Sequence, residues 1–530
     1  MKLKIATNRD NNLWIFNAGN TFTGNPKWLF IYINNFRKDI KTFWFCDNRE
    51  TVAQIRKLGY KAYTFRAAQR SRRIKRTLLN AGVYVVNQVK EYLPEELIGA
   101  KILNLWHGVG CKSIERAKVD FGFLAERIAK KYIKYNQTYR NYQIFLTTSP
   151  MMEEHFKKQC GLDDDKIIRA GYPCCIYRQY VGKVETFAHD ILRLKGLPAS
   201  TKIAVYAPTY RESSATDFFG KAIPDMEELI GKLESANMLL ILKMHPLMEK
   251  DYQYSIAKKY YANCKNLLFW DNKNDIYEIF DQIDLAIVDY SSIFYDMLAA
   301  GIPYFARYFF DYNDENNVRR SVYDYKEMTF GKICNNFADF LNLFEDYQHD
   351  YMEDRNRIYN YFWSYSDKSS FDKIINCTLE FKPQIDRELP ILYSFDVFDT
   401  LISRKTLSPI GIFYYVQAKL KLKSNSNNLS FPRYLIENFP SIRREAERHV
   451  REKYRKTLSF RSDNRLEITF EEIYNRIANL FSLTEQQVEI LKSYELEGEY
   501  NNCIPISSNI EIVKELLNGG NKVVLISDMY

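Results

Sequence analysis

The sequence predicts an α/β protein built from two doubly wound parallel-sheet domains in tandem, followed by a third, incomplete α/β segment. Three observations lead there. Short apolar runs alternate with helix-period stretches over the first hundred residues, and the same alternation restarts near residue 200. A long helical stretch, about 408–500, then lies between two isolated apolar strands.

In chain order, residues 13–16 read as a strand, 28–33 begin a helix, and 42–46, 83–86 and 102–106 read as further strands, the last cut off by His107-Gly108. The second set has strands at 203–206, 239–243, 267–270 and 285–288. Two such domains in tandem face each other across a cleft lined by the carboxyl ends of both sheets. Residues 347–387 turn charged and aromatic, as closing helices and a linker would, with Pro383 and Pro390 bracketing a boundary. A new strand follows at 391–395 and the last at 523–526. The expected domains are therefore 1–185, 186–380 and 391–530, the third carrying a helical cap over about 408–500.

Composition limits the function classes. The 530 residues are 46% hydrophobic, which excludes a wholly disordered chain. No apolar run approaches the roughly 20 residues of a membrane span, and the N-terminus lacks a signal peptide's apolar core. The expectation is a cytoplasmic protein with peripheral membrane contact. None of the nine cysteines stands in a CxxC pair, so reduced, mostly buried thiols are expected, with no zinc site. The net charge of +9 favours anionic partners. Arg66, Arg70, Arg72, Arg73, Lys75 and Arg76 form one basic cluster. Arg127, Lys130, Lys131 and Lys134 interleave with Leu124, Ile128, Tyr132 and Tyr135 at helical spacing. That pattern suits either an anionic lipid surface or a helix packed on its own domain. No nucleic-acid module accompanies the charge.

Four polar groups follow apolar strands. His107 lies beside Gly108-Val109-Gly110 with Lys112 close behind; an imidazole there is either a proton-transfer group or a structural strand end. Tyr206-Ala207-Pro208-Thr209-Tyr210-Arg211 offers a hydroxyl and a guanidinium. Lys243-Met244-His245-Pro246 sets two phosphate-capable side chains two residues apart. Asp289-Tyr290-Ser291-Ser292, with Asp296 beyond, is either an anion site or a helix cap made by Asp289 or Ser291. His155, His189, His349 and His449 sit in polar surroundings and are expected to face solvent.

Together these motifs resemble the CDP-glycerol glycerophosphotransferase family, the teichoic-acid and capsule polymerases and primases. Gly24-Asn25-Pro26-Lys27, Gly171-Tyr172-Pro173 and Gly301-Ile302-Pro303-Tyr304 add to the resemblance, which covers residues 10–375. It implies two Rossmann-like domains in a GT-B arrangement. It implies transfer of an alditol phosphate from a CDP-alditol donor to a hydroxyl of an anionic polymer, lipid-linked or glycan acceptor, with release of CMP at the inner face of the cell membrane and no cofactor. His107 would be the general base, with His245 in the catalytic set. Trp106, Gly108, Val109 and Gly110 would contact the donor. Pro208, Thr209, Lys243, His245, Ser291, Ser292 and Asp296 would hold the nucleotide and its pyrophosphate, and Arg211 joins them on its charge. The chain departs from the family at Val109, where Thr is common, and at Cys174-Cys175, where Arg is usual and Arg178 is the available substitute.

The third segment resembles the haloacid dehalogenase (HAD) superfamily. Ser394-Phe395-Asp396-Val397-Phe398-Asp399-Thr400-Leu401 matches its first motif and Ile526-Ser527-Asp528 its second, with Asp396 in the nucleophile position, Thr400 supporting the loop and Ser527 on phosphate. Phe398 replaces the usual second Asp, and a complete domain of this kind would use Mg2+. Rival readings are a sugar transferase of the GT-B type, a HAD-type hydrolase and a non-catalytic polyanion-binding scaffold.

Overall fold

The computed structural model describes residues 9–89, 93–117, 131–132, 140–182, 190–209, 218–311, 322–324, 326–383, 392–406, 408–423, 430–457 and 468–527. They fall into two compact units, one reaching residue 384 and one formed mainly by the chain from 385 onward.

The first unit holds two parallel sheets. Strands β1 (Asp10–Phe16), β2 (Lys41–Phe45), β3 (Ala62–Tyr63), β4 (Ala81–Val86), β5 (Lys101–Asn104), β6 (Gln143–Thr147) and β7 (Ile167–Arg169) pair in the order β3-β2-β1-β4-β5-β6-β7. Strands β8 (Lys202–Ala207), β9 (Met238–Leu242), β10 (Leu267–Phe269), β11 (Leu285–Val288), β12 (Tyr304–Tyr308) and β13 (Lys332–Cys334) pair as β10-β9-β8-β11-β12-β13. Central strands are apolar on both faces because helices cover both: every residue of β4, β9 and β11 is buried. One continuous core joins inward faces of both sheets, with Trp14, Trp28 and Trp44 fully enclosed, and a second core lies under the outer face of the second sheet.

Order reverses between β1 and β4 in the first sheet and between β8 and β11 in the second. A crevice opens at the carboxyl ends of such strand pairs, where connections diverge to opposite faces. The closing helices Met352–Trp363 and Ser370–Glu380 run back onto the first sheet. There the Tyr32 and Phe371 rings stack at 4.2 Å, and Lys101 Nζ donates to the carbonyls of Thr378 (3.0 Å) and Leu379 (2.7 Å).

Two expectations are corrected. The strand foreseen at 102–106 stops at Asn104, because Trp106 adopts a left-handed backbone with φ 52°. His155 is 5% exposed rather than solvent-facing: its helix, Pro150–Cys160, turns it inward against Gly110 and Phe156. His349 is half-buried, His449 is exposed, and His189 lies outside the described residues. Six of the nine cysteines are buried and all are free thiols. Among the described residues no helix is long and apolar enough to cross a membrane.

The second unit is mostly helical. Helices Pro409–Lys423, Arg433–Thr457, Phe470–Phe481 and Glu485–Asn502 enclose a core that includes Ile412, Val416, Phe439, Ile473 and Leu491. Inside it Arg443, fully buried, forks onto Glu495 at 2.9 and 2.8 Å. Thr469 and Thr484 close capping boxes that fix two helix starts. Strand β14 (Leu392–Asp396) pairs in parallel with β17 (Lys522–Ile526), and β15 (Ile402–Arg404) pairs antiparallel with β16 (Cys503–Pro505).

Candidate active site

His107 stands on the turn after β5, and that turn is held from four directions. The Asn25 side chain donates to the carbonyls of Leu105 and Trp106, both at 3.1 Å, and accepts from Cys174 N at 3.2 Å. Asn104 Oδ1 accepts from Trp106 N at 3.0 Å, and the Tyr172 hydroxyl donates to the Gly108 carbonyl at 3.1 Å. His107 Nδ1 meets the Asn87 carbonyl at 2.7 Å, beyond β4. A bulky residue in left-handed backbone costs about 1–2 kcal/mol, and these bonds over-determine the conformation. The Trp106 ring lies 4.4 Å from the imidazole and 5.5 and 5.4 Å from Phe145 and Phe156, a floor under His107.

The Asn87 carbonyl can only accept, so Nδ1 carries the proton and Nε2 is the basic nitrogen. His107 reaches solvent, yet protein surrounds the rest of its ring, and that loss of water lowers its pKa below 6.5. It is therefore neutral, and competent as a base, at physiological pH.

From the second sheet, Thr209 follows β8, and its N–H and hydroxyl both donate to Asp289, just beyond β11. Asp289 is thus a tie across the switch point and not a helix cap. Ser292 occupies the N-cap position of the helix Ile293–Ala299 without a side-chain cap bond, leaving both serines partly exposed. One strand over, Lys243 donates to Asn272 Oδ1 at 2.8 Å, and burial brings its pKa to about 8. His245 is exposed just beyond. The two halves meet at Gly108 (φ 146°): a side chain there would begin 3.7 Å from both Ser292 Oγ and Asp296 Oδ2.

Asp296 is 2% exposed; Tyr277 donates to its Oδ2 at 2.6 Å, and Oδ1 has no partner among the described residues. Burial raises this carboxyl to about 7. A raised carboxyl favours folding at low pH and loses that advantage as the pH climbs from the unfolded value near 4 to about 7. Replacing Asp296 by Asn is expected to remove a decline of about 1.4 kcal/mol per pH unit across that window. Urea denaturation of both proteins at pH 5 and pH 7.5 checks it; equal pH dependence would refute the buried ionisation.

The structure therefore gathers His107, Gly108, Thr209, Ser291, Ser292 and Asp296 about the meeting of the two sheets, with Lys243 and His245 on the adjacent strand end. Trp106, Val109 and Gly110 are buried, and they pack rather than present polar groups. Gly110 is required by its neighbour: a Cβ there would collide with the His155 ring. Arg211 lies outside the described residues, as does most of the basic stretch 124–135, of which Lys131 pairs with Glu115 at 2.6 Å. Arg178 is committed to Asp281 and the Glu278 carbonyl. Asp396, Thr400 and Ser527 belong to the second unit. Asn25, Asn87, Tyr172 and Tyr277 position the site; the Gly24-Asn25-Pro26-Lys27 and Gly171-Tyr172-Pro173 motifs are the sequence signs of two of them, and Asn87 and Tyr277 carry none.

Two facing parallel-sheet domains with a histidine and phosphate-capable groups at their strand ends define a GT-B-like transferase fold. A profile of the CDP-Glycerol:Poly(glycerophosphate) glycerophosphotransferase family matches residues 1–380, and the chain belongs to that family. It is 23% identical over 282 residues to the teichoic acid glycerol-phosphate primase of Bacillus subtilis (strain 168), covering 52% of this chain and 67% of that one. It is also 23% identical over 351 residues to the teichoic acid poly(glycerol phosphate) polymerase of Bacillus spizizenii, covering 61% and 81%. Against a similar polymerase of Staphylococcus epidermidis, at 20% identity, the chain spans 47% of the relative's length. The solved structure of the wall teichoic acid polymerase TagF superposes with a TM-score of 0.56 at 19% identity, over 70% of this chain and 90% of that one.

Proposed function

We propose that the chain transfers an alditol phosphate, foremost glycerol phosphate, from a CDP-activated donor to a hydroxyl of a polymer or primer, releasing CMP in teichoic-acid-like wall or capsule synthesis. The observation that carries this is a neutral, Nδ1-protonated His107 on a turn packed against Ser292 and Asp296. Family membership supplies the donor class. A variant of the TagF polymerase was soaked with CDPG, and it superposes on this chain with a TM-score of 0.55.

In the reaction the acceptor oxygen bonds to the β-phosphorus as its proton passes to His107 Nε2. The bond from that phosphorus to the bridging oxygen breaks, and CMP leaves with the electron pair. Lys243, His245, Ser291 and Ser292 serve to hold the phosphates; Thr209, whose N–H and hydroxyl are both given to Asp289, braces the strand end beside them, and Pro208 shapes the turn before it. A bound pyrophosphate keeps Lys243 protonated, and fixed donors around it stabilise charge without reorganising. Arg211 is assigned to the same phosphates on its charge.

Action at the inner membrane face is supported by the +9 charge. For the second unit we favour a HAD-like origin. Asp396 and Ser527 end neighbouring parallel strands, with Asp396 opposite Ile526, and the Thr400 hydroxyl lies 3.5 Å from Asp396. Mg2+ needs about six oxygen ligands. The second position after Asp396 is Phe398, which lies under the Arg404 guanidinium at 3.9 Å, and no set of three His, Cys, Asp or Glu among the described residues could hold a metal. The residues described do not fit the ion, and no phosphatase step follows.

The deciding experiment measures CMP release from CDP-glycerol and CDP-ribitol, with and without a membrane acceptor. Acceptor-dependent release from one donor is expected and identifies the alditol. Release from neither would refute the assignment. Ser291→Ala and His245→Ala should each raise the donor Kd by about tenfold, the loss of one charge-assisted hydrogen bond.

A further inference from the structure

Residues 51–90 contain ten Lys and Arg (Arg56, Lys57, Lys61, Arg66, Arg70, Arg72, Arg73, Lys75, Arg76, Lys90) and no Asp or Glu. The fold gathers part of this charge into a groove. Lys41 at the start of β2 and Arg72, Arg73 and Arg76 of the helix Arg72–Asn80 line it, with the Phe43 ring in its wall and Asp10 as its one carboxylate. Lys61 adds its ammonium 5.5 Å from the Phe43 ring. Lys41, Arg72, Arg73 and Arg76 are exposed and make no ion pair among the described residues. Other surface arginines of this chain do find acids, as Arg37 finds Asp39 and Arg357 finds Asp354. The groove therefore keeps a concentrated positive potential that has no internal use.

The groove lies at the starting ends of β1 and β2, whereas His107 follows the carboxyl end of β5 in the same parallel sheet. A strand of five or six residues separates those ends by about 17–20 Å. The groove is therefore distinct from the donor site. It is also concave and bordered by few exposed apolar side chains, which suits a single extended polyanion better than a bilayer surface that must accept apolar anchors.

We propose that this groove is a second binding site, holding a chain of phosphodiester units at a distance from the reacting end. The identity of that chain as the growing polymer rests on the donor assignment above. Guanidinium forks spaced along one helix face match repeating phosphates and tolerate sliding, because each interaction is electrostatic and none reads the alditol. The consequence is retention: a polymer long enough to reach the groove stays bound between additions, and a short primer does not.

The test compares wild type with the triple variants R72E/R73E/R76E and R72Q/R73Q/R76Q. Binding of synthetic poly(glycerol phosphate) and of inorganic polyphosphate is measured by calorimetry between 50 and 300 mM salt, beside vesicles of phosphatidylglycerol. The expected result is a weaker polymer affinity, with the slope of log K against log salt reduced by about two to three, one for each phosphate no longer neutralised. Turnover on a primer of one or two units should be retained while products become shorter. Polymer affinity and product length unchanged in both variants would overturn the proposal. So would loss of vesicle binding with polymer binding intact, which would make the groove a lipid site. Polyphosphate binding that depends on these arginines, in a protein that releases no CMP from either donor, supports the groove and removes only the donor assignment.

Discussion

Replacing His107 by Ala should lower acceptor-dependent CMP release by about 10²- to 10⁴-fold, the range that a positioned general base supplies. The protein should stay folded, because the imidazole reaches solvent and its one hydrogen bond among the described residues is to the Asn87 carbonyl. The turn itself is held by Asn25, Asn104 and Tyr172, none of which depends on the ring. In the wild type, the protein around its ring lowers the His107 pKa below 6.5, so activity should rise with pH on the acid side of 6.5 and be level by neutrality. Donor affinity should change little in the variant. Turnover within threefold of wild type, or a drop that merely follows lost folding in circular dichroism, would remove His107 as the base.

The second large effect concerns Lys27. Its ammonium is fully buried between Asp275, at 3.0 Å, and Glu278, while Trp28 Nε1 and Gly24 N also donate to Asp275 at 2.9 and 3.3 Å. Donors from the start of the helix Gly24–Phe36 thus converge on the turn preceding β11, joining the first sheet's domain to the second's. Lys27→Met keeps the length of the side chain and removes the charge, so that two buried carboxylates lose the ammonium between them. Breaking a buried pair from one side costs about 3–5 kcal/mol. Chemical denaturation should show that loss in the first unit, and Lys27→Met with Asp275→Asn and Glu278→Gln should recover part of it. An unchanged midpoint would show that solvent reaches the site.

The parallel-sheet architecture was legible because strands buried on both faces read as unbroken apolar runs, as in Met238–Leu242. Strands that break this rule were not. Ala62–Tyr63 and Ile167–Arg169 are too short to show a period. Tyr304–Tyr308 carries Arg307, whose guanidinium is buried on the Asp289 carbonyl and over the Phe294 ring at 4.7 Å. No local pattern announces a charged side chain that finds its partner eighteen residues away. His155 escaped for the same reason: the space it fills exists only because Gly110, distant in sequence, has no side chain. The candidate site was legible as motifs, since strand ends followed by His, Thr, Lys or Ser stand out in sequence. Its geometry was not. That Asp289 would grip Thr209 instead of capping a helix follows from β8 and β11 being neighbours, which is a property of topology.

The return of the last two helices of the first unit onto the first sheet has a consequence for synthesis on the ribosome. The Tyr365 N–H donates to the Thr148 carbonyl, Ser370 receives the Gly171 N–H, and Trp363 packs on Tyr172, the residue that holds Gly108. The sheet that carries His107 is thus finished by chain translated some 250 residues later. The amino-terminal half emerges first yet matures last, and until residue 380 has left the exit tunnel the nascent protein presents the uncovered side of β7 to its surroundings. A pause in translation between about 310 and 350 would prolong that exposure, so chaperone engagement should peak there and end when the two helices dock.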